Sequence, residues 1–209
     1  MKAYMRNQFD FLGIKTPERR RAVRPLFARA ARPAVGDLPG ISAELFARTH
    51  REYQYVAVDL LDRYPGELPA SFLQPAGELI TTRSWWDTVD GLATHIVGDL
   101  ARHHPAAARR RINSWRRSPD IWLRRTAILF QLGYKAETDT ALLFDVIREN
   151  RTDREFFIRK AIGWALREYS KTDADAVVKF VRREQLDGLA RREALKWLKA
   201  QGRLKESAT

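Results

Sequence analysis

The chain contains no cysteine. Disulfides, thiolate metal sites and cysteine nucleophiles are therefore excluded together. Long apolar runs are also missing, and none approaches the ~20 residues of a membrane-spanning helix. The opening residues Met1-Lys2-Ala3-Tyr4-Met5-Arg6-Asn7-Gln8 lack the apolar core of a signal peptide. A soluble cytoplasmic protein with no membrane partner is expected. No stretch of alternating β-branched residues is bounded by turn signals, so strands are not expected. Histidine is scarce: His50, His95, His103 and His104 are the only four. None of them has the H-E-x-x-H or another metal-ligand spacing. A phosphate-cradling G-x-x-x-x-G-K-[ST] loop, a G-x-G-x-x-G turn and a G-x-S-x-G elbow are absent. Nucleotide hydrolysis and acyl transfer thus have no motif, and no cofactor or metal is expected.

What the chain has in excess is positive charge. Its 38 Lys and Arg outnumber 26 Asp and Glu, a net charge of +12. Such an excess predicts a polyanionic partner, nucleic acid before anionic membrane. Most of the cations are arginine, whose fork suits phosphate. A hydrophobic share of 44% is enough to bury a sizeable core. A single domain over 1–209 is expected, with 201–209 as a frayed tail.

Almost every segment reads as helix, so the fold class is all-α. Met1 to Phe9 resembles the tail of a helix, and Phe9 to Lys15 an apolar turn. Thr16-Pro17-Glu18 opens the next helix, with Thr16 as N-cap. That helix carries Arg19, Arg20, Arg21, Arg24 and Arg29. Ser42 reads as the cap of a helical region towards Tyr64, with a break near Tyr53. Further helices are expected near 71–82, 85–103, 121–132, 138–149, 174–183 and 188–200. Thr152-Asp153-Arg154-Glu155 has capping-box spacing and opens another, from Phe156.

The helices come in related pairs. Trp122-Leu123-Arg124-Arg125 recurs 35 residues later as Phe157-Ile158-Arg159-Lys160. A weaker echo, Ala190-Arg191-Arg192, follows about 32 residues further on. A two-helix period of this length is the signature of an α-solenoid of HEAT-like repeats. Stacked repeats would carry their recurring basic residues on a long concave, positively charged face.

One stretch stands out, Ser84-Trp85-Trp86-Asp87-Thr88-Val89-Asp90. Ser84 and Asp87 have the spacing of a capping box, which gives Asp87 a structural task. Trp86 and Asp90 are four apart and project from one helical face. An acid in a phosphate-binding groove weakens binding. It gains a purpose if it offsets positive charge that develops in a reaction, as on the sugar during N-glycosidic cleavage. The alternative is a salt bridge from Asp90 to a neighbouring arginine. Spacing leaves both open.

At these residues the chain resembles the AlkD-like DNA alkylation repair family, DNA glycosylases built from HEAT-like repeats. The resemblance runs over nearly the whole length. It includes Tyr4-Met5-Arg6-Asn7-Gln8-Phe9 with Phe11-Leu12-Gly13-Ile14, then Thr16-Pro17-Glu18-Arg19-Arg20. It continues through Ser84–Asp90, Trp122–Ile128 and Phe157–Trp164. It implies removal of cationic N7- and N3-alkylated purines from double-stranded DNA, leaving an abasic site without flipping the base. Asp90 matches the acid that stabilises the sugar cation and orients water. Trp86 and Trp164 match aromatics that contact the lesion deoxyribose and backbone. Arg125 matches an arginine on a nearby phosphate, and Tyr4 an aromatic of the same cleft. Arg124 and Lys160 are further candidates for DNA contact. The resemblance implies a monomer without an obligate protein partner, associated with the nucleoid when on DNA. Family members carry a helix before the Tyr4 motif, and here the chain begins three residues ahead of it. Either the start is truncated or the first repeat is incomplete. A non-catalytic DNA-binding or lesion-sensing protein is the alternative, and a protein-interaction scaffold a third.

Overall fold

The computed structural model describes residues 1–28 and 32–204. Arg29 and the end of the expected tail, 205–209, lie outside the described residues. Among the described residues no strand forms, and Asp10 and His50 make an isolated parallel bridge. No described helix is long and apolar enough to cross a membrane. The chain divides into two compact units, Met1–Ala108 and Arg109–Thr209.

The first unit begins with hydrogen-bonded turns over residues 2–7, where a helix tail is expected from sequence. Arg6 and Asn7 take positive φ of 52° and 59°, which ends any helical continuation there. The next stretch is held by one carboxylate. Leu12, Gly13 and Ile14 donate consecutive backbone N–H groups to Glu52 at 3.0, 2.9 and 3.2 Å. Buried Glu52 thereby gains the partners that its burial requires. Helix α1 (Thr16–Val23) follows. Its N-cap is Lys15, with Thr16 already inside the helix. The Glu18 carboxylate accepts from the Lys15 N–H, which shifts the start one residue ahead of the sequence reading.

Helices α2 (Leu38–Ala47) and α3 (Arg51–Leu61) are separate. The break comes at residues 48–50, ahead of Tyr53, and Ser42 lies inside α2. Ser42 is buried and donates to the Leu38 carbonyl at 2.6 Å, so it caps nothing. The buried Gln54 amide donates to the carbonyls of Leu45, Phe46 and Arg48, satisfying the exposed end of α2. Helix α4 (Leu73–Thr81) is followed by a continuous helical run. It consists of α5 (Trp86–Gly91), a π-helical stretch (Leu92–Val97) and α6 (Gly98–His103). The Thr94 hydroxyl donates to the Asp90 carbonyl at 2.7 Å, at the entry to the wider turns. Such a side-chain bond inserted in a helix accompanies local bending. Leu92, Ala93, Val97 and Leu100 are wholly buried and anchor the run in the core.

Helix α7 (Pro105–Trp115) leads into the second unit, which holds α8 (Ile121–Leu129), α9 (Thr140–Asn150), α10 (Phe156–Tyr169), α11 (Ala174–Arg183) and α12 (Gly188–Ala200). Aspartate side chains cap three of these helices, α8, α9 and α11. Asp120 accepts from the N–H groups of Trp122 and Leu123, Asp139 from Leu142, and Asp173 from Ala176. Each such cap contributes about 1 kcal/mol. The expected capping box at Thr152 is not formed. Asp153 accepts from the Glu155 N–H at 2.8 Å instead, and Glu155 occupies the cap position of α10.

The recurring phrase begins α8 and α10, and its two copies touch. Trp122 and Phe157 pack with ring centroids 4.9 Å apart. The phrase also repeats an ion pair. Arg124 reaches Asp153 at 2.8 Å, and Arg159 reaches Asp187 at 3.3 Å. Asp153 lies three residues ahead of α10, and Asp187 directly precedes α12. Helices α10 and α12 approach closely at Gly163, where an added Cβ would lie 2.4 Å from the Glu193 Cβ.

Candidate active site

In the first unit the expected residues come together around the start of α5. Trp86 is the first helical residue and Asp90 stands one turn on, both half-buried. Tyr4 is 73% exposed and still packs on Trp86, with centroids 5.9 Å apart and planes at 83°. Trp86 and Asp90 thus share α5, and Tyr4 meets the tryptophan ring. The hydrogen-bonded turns at residues 2–7 and the Glu52 anchor behind them hold the segment that carries Tyr4.

The reading of Ser84 and Asp87 as a capping box is corrected. Ser84 Oγ donates to the Ile80 carbonyl at 2.7 Å and so belongs to the end of α4. Trp85 is the N-cap residue, in extended conformation, and uses no side-chain cap. Its carbonyl accepts from Thr88 and Val89. Asp87 faces inward instead. It accepts Nε of Arg51 at 3.0 Å and Nη2 on its other oxygen, and the Tyr55 hydroxyl donates to it as well. Burial, followed by the hydrogen bond to Asp87, pushes the Tyr55 phenol well above the usual tyrosine range. It stays protonated and keeps donating.

Arg51 is 0% exposed, and sequence reasoning did not find it. Its Nη1 donates to the Arg83 carbonyl at 2.7 Å and its Nη2 to Thr88 Oγ1 at 2.9 Å. The guanidinium lies 3.8 Å from the centroid of the Phe9 ring. No local signal separates this arginine from the chain's many surface ones, because its burial comes from segments far apart in sequence.

In the second unit the candidates lie on α8 and α10. Arg125 is only 4% exposed and donates to the Phe157 carbonyl. Arg124 is engaged by the Ser118 and Pro119 carbonyls as well as by Asp153. Lys160 pairs with Glu193 at 3.1 Å, and Arg167 reaches the other oxygen of Glu193 at 2.6 Å. Burial would raise the Glu193 carboxyl, and the two cations outweigh it and hold it below the usual range. Trp164 is half-buried. Phe156, Lys160 and Trp164 are four residues apart in turn along one face of α10. Phe156 is 50% exposed, a large apolar side chain that sequence reasoning passed over. Among the described residues no group of His, Asp and Glu side chains is arranged to hold a metal ion.

Chemically, the α5 group offers an acid beside a paired aromatic surface. The α8–α10 group offers cations beside aromatics. A family model described as DNA alkylation repair enzyme matches residues 1–198. The chain is also similar to a solved structure described as a predicted DNA alkylation repair enzyme from Enterococcus faecalis. The identity is 34% and the TM-score 0.88, over 95% of this chain and 92% of that one. No curated protein matches the chain.

Proposed function

The chain belongs to the DNA alkylation repair enzyme family, and from that premise we propose that it is a DNA glycosylase of base excision repair. Its substrates are cationic N7- and N3-alkylated purines in double-stranded DNA, removed without flipping the base out of the stack. The observation that carries this reading is the α5 group: half-buried Asp90 one helical turn from Trp86, with Tyr4 packed on the tryptophan.

In the reaction the bond from the sugar C1′ to the purine N9 breaks. Its electron pair goes to the already cationic base, which departs neutral. The sugar is left with oxocarbenium character. The Asp90 carboxylate stabilises that charge, directs a water to C1′ and accepts the proton the water loses. Acid catalysis at the base is not required, because the leaving group is already cationic. Trp86 bears on the deoxyribose of the lesion nucleotide and Tyr4 braces it, while Trp164 serves the second unit as an aromatic contact to DNA. Arg125, with Arg124 and Lys160, serves the phosphates. Recognition of the backbone rather than the base is compatible with bulky adducts.

The test is release of 7-methylguanine from duplex DNA by the purified protein. Release above the spontaneous rate is expected. If none is seen while the duplex is still bound, the enzyme reading fails and a non-catalytic DNA-binding protein remains.

A further inference from the structure

The first unit contains a buried ion pair that stability alone does not demand. A fully buried arginine is costly to desolvate, and a well-packed apolar side chain in its place is often as stable or more so. What a buried fork provides is direction, because a bidentate guanidinium–carboxylate pair fixes the relative geometry of the elements that carry it. Arg51 uses that fork on Asp87, which neighbours Trp86 and lies three residues before Asp90 on the same short helix.

Its remaining contacts hold the other parts of the group. The backbone N–H of Arg51 donates to the Asp10 carbonyl at 2.9 Å, and the guanidinium covers Phe9. Both belong to the segment that follows Tyr4. Nη1 holds the carbonyl of Arg83, which adopts a left-handed φ of 47° just ahead of the tryptophans. A non-glycine residue in that conformation is strained and persists only where its surroundings over-determine it. Arg83 itself donates back to the Thr49 carbonyl at 2.8 Å. One side chain on α3 thus ties down the N-terminal segment, the turn before α5 and the first turn of α5.

We propose that Arg51 is the positioning residue of this site: through Asp87 it sets the direction in which Trp86 and Asp90 project. Tyr55 supports it by donating to the same carboxylate. The role of Asp90 in base release rests on the proposed function. The orientation of Trp86 by Arg51 does not.

The experiment uses the full chain labelled with 5-fluorotryptophan. The Trp86 signal among the six tryptophans is assigned by its loss in Trp86→Phe. Arg51→Lys keeps the charge and loses the fork, and Tyr55→Phe keeps the ring and loses one donor. For Arg51→Lys, release of 7-methylguanine from the bound duplex is expected to slow by about 10- to 100-fold, the scale of a misplaced catalytic group. Affinity for the duplex should stay within about twofold, and the Trp86 fluorine resonance should move. For Tyr55→Phe a fall of about threefold is expected, the loss of one hydrogen bond. A folded Arg51→Lys that keeps the wild-type rate overturns the proposal. So does a slower rate with an unmoved Trp86 resonance, or a rate reduced only in proportion to the folded fraction. If Arg51→Lys does not fold, Tyr55→Phe decides by the same readouts. If the wild type releases no base, the glycosylase reading fails and the Trp86 resonance alone decides whether Arg51 positions the helix.

Discussion

Tyr4 stands perpendicular to Trp86, with planes at 83° and centroids 5.9 Å apart, although the two are far apart in the chain. An edge-to-face pair of this kind contributes roughly 0.5–1.5 kcal/mol beyond area burial. Tyr4→Phe keeps the ring and is expected to release alkylated base at close to the wild-type rate. Tyr4→Ala removes the brace and should slow release by about threefold to tenfold, measured under single-turnover conditions. Equal rates for Tyr4→Ala and wild type would place Tyr4 outside the site.

Asp90→Asn is nearly isosteric and removes the charge opposite the developing sugar cation. Loss of one such electrostatic group costs about 10²–10³-fold in rate. A fall of at least about 100-fold is expected, with duplex affinity unchanged or slightly higher, since a negative charge leaves the interface. If the variant is as fast as wild type, the carboxylate is not the catalytic group, even though the enzyme class stands.

Arg125 has two testable properties. Its hydrogen bond to the Phe157 carbonyl is charge-assisted and almost fully buried, and such bonds contribute about 1.5–3 kcal/mol. Arg125→Ala should lower Tm by about 5 °C, read by circular dichroism. If Arg125 also reaches a phosphate, the slope of log affinity against log salt falls by about 0.9. An unchanged slope with a lowered Tm would make its role purely structural.

Gly163 allows α10 and α12 to approach, and an added Cβ would meet both the Glu193 Cβ and, at 3.0 Å, the Ala190 carbonyl. Gly163→Ala is expected to destabilise the protein by about 1–3 kcal/mol, the scale of overpacking. Neither obstacle is the far end of a flexible side chain, so relief requires helix movement. A melting temperature equal to wild type would show that the helices separate freely here.

Alkaline stability reports on the buried network. The Tyr55 phenol titrates above its ordinary value of 10.0 in the folded chain, through burial first and the Asp87 hydrogen bond second. Above about pH 10 the unfolded chain loses this proton while the folded chain keeps it. The stabilisation is therefore complete below that pH and declines as pH rises further. Tm measured from pH 9 to 11 should fall less steeply in Tyr55→Phe than in wild type. Parallel curves would show that Tyr55 does not govern this range.

Much of the helical order was legible because apolar periodicity and turn residues are local signals. The spans 174–183 and 188–200 match α11 and α12 to the residue. Helix starts were less legible. Thr16, Ser42, Ser84 and Thr152 all have the chemistry of a cap, and none serves as one. Lys15, Trp85 and Glu155 hold the cap positions of α1, α5 and α10, and Asp87 is taken by a distant arginine. A carboxylate will satisfy whichever donor costs most to leave unpaired, and that donor was the buried guanidinium.

By itself, the sequence determined the all-helical class, the related helix pairs and the basic balance that points to a polyanion. It also placed Trp86 and Asp90 on one face, because a helix of 3.6 residues per turn brings i and i+4 together wherever it forms. Tertiary structure alone decided what that face is fixed to. Arg51 looks like any other cation in the chain until Phe9, Arg83 and Asp87 close around it from three separate segments. Burial is a sum over distant neighbours, so no local pattern can announce it. It is burial that turns one ordinary arginine into the anchor of α5.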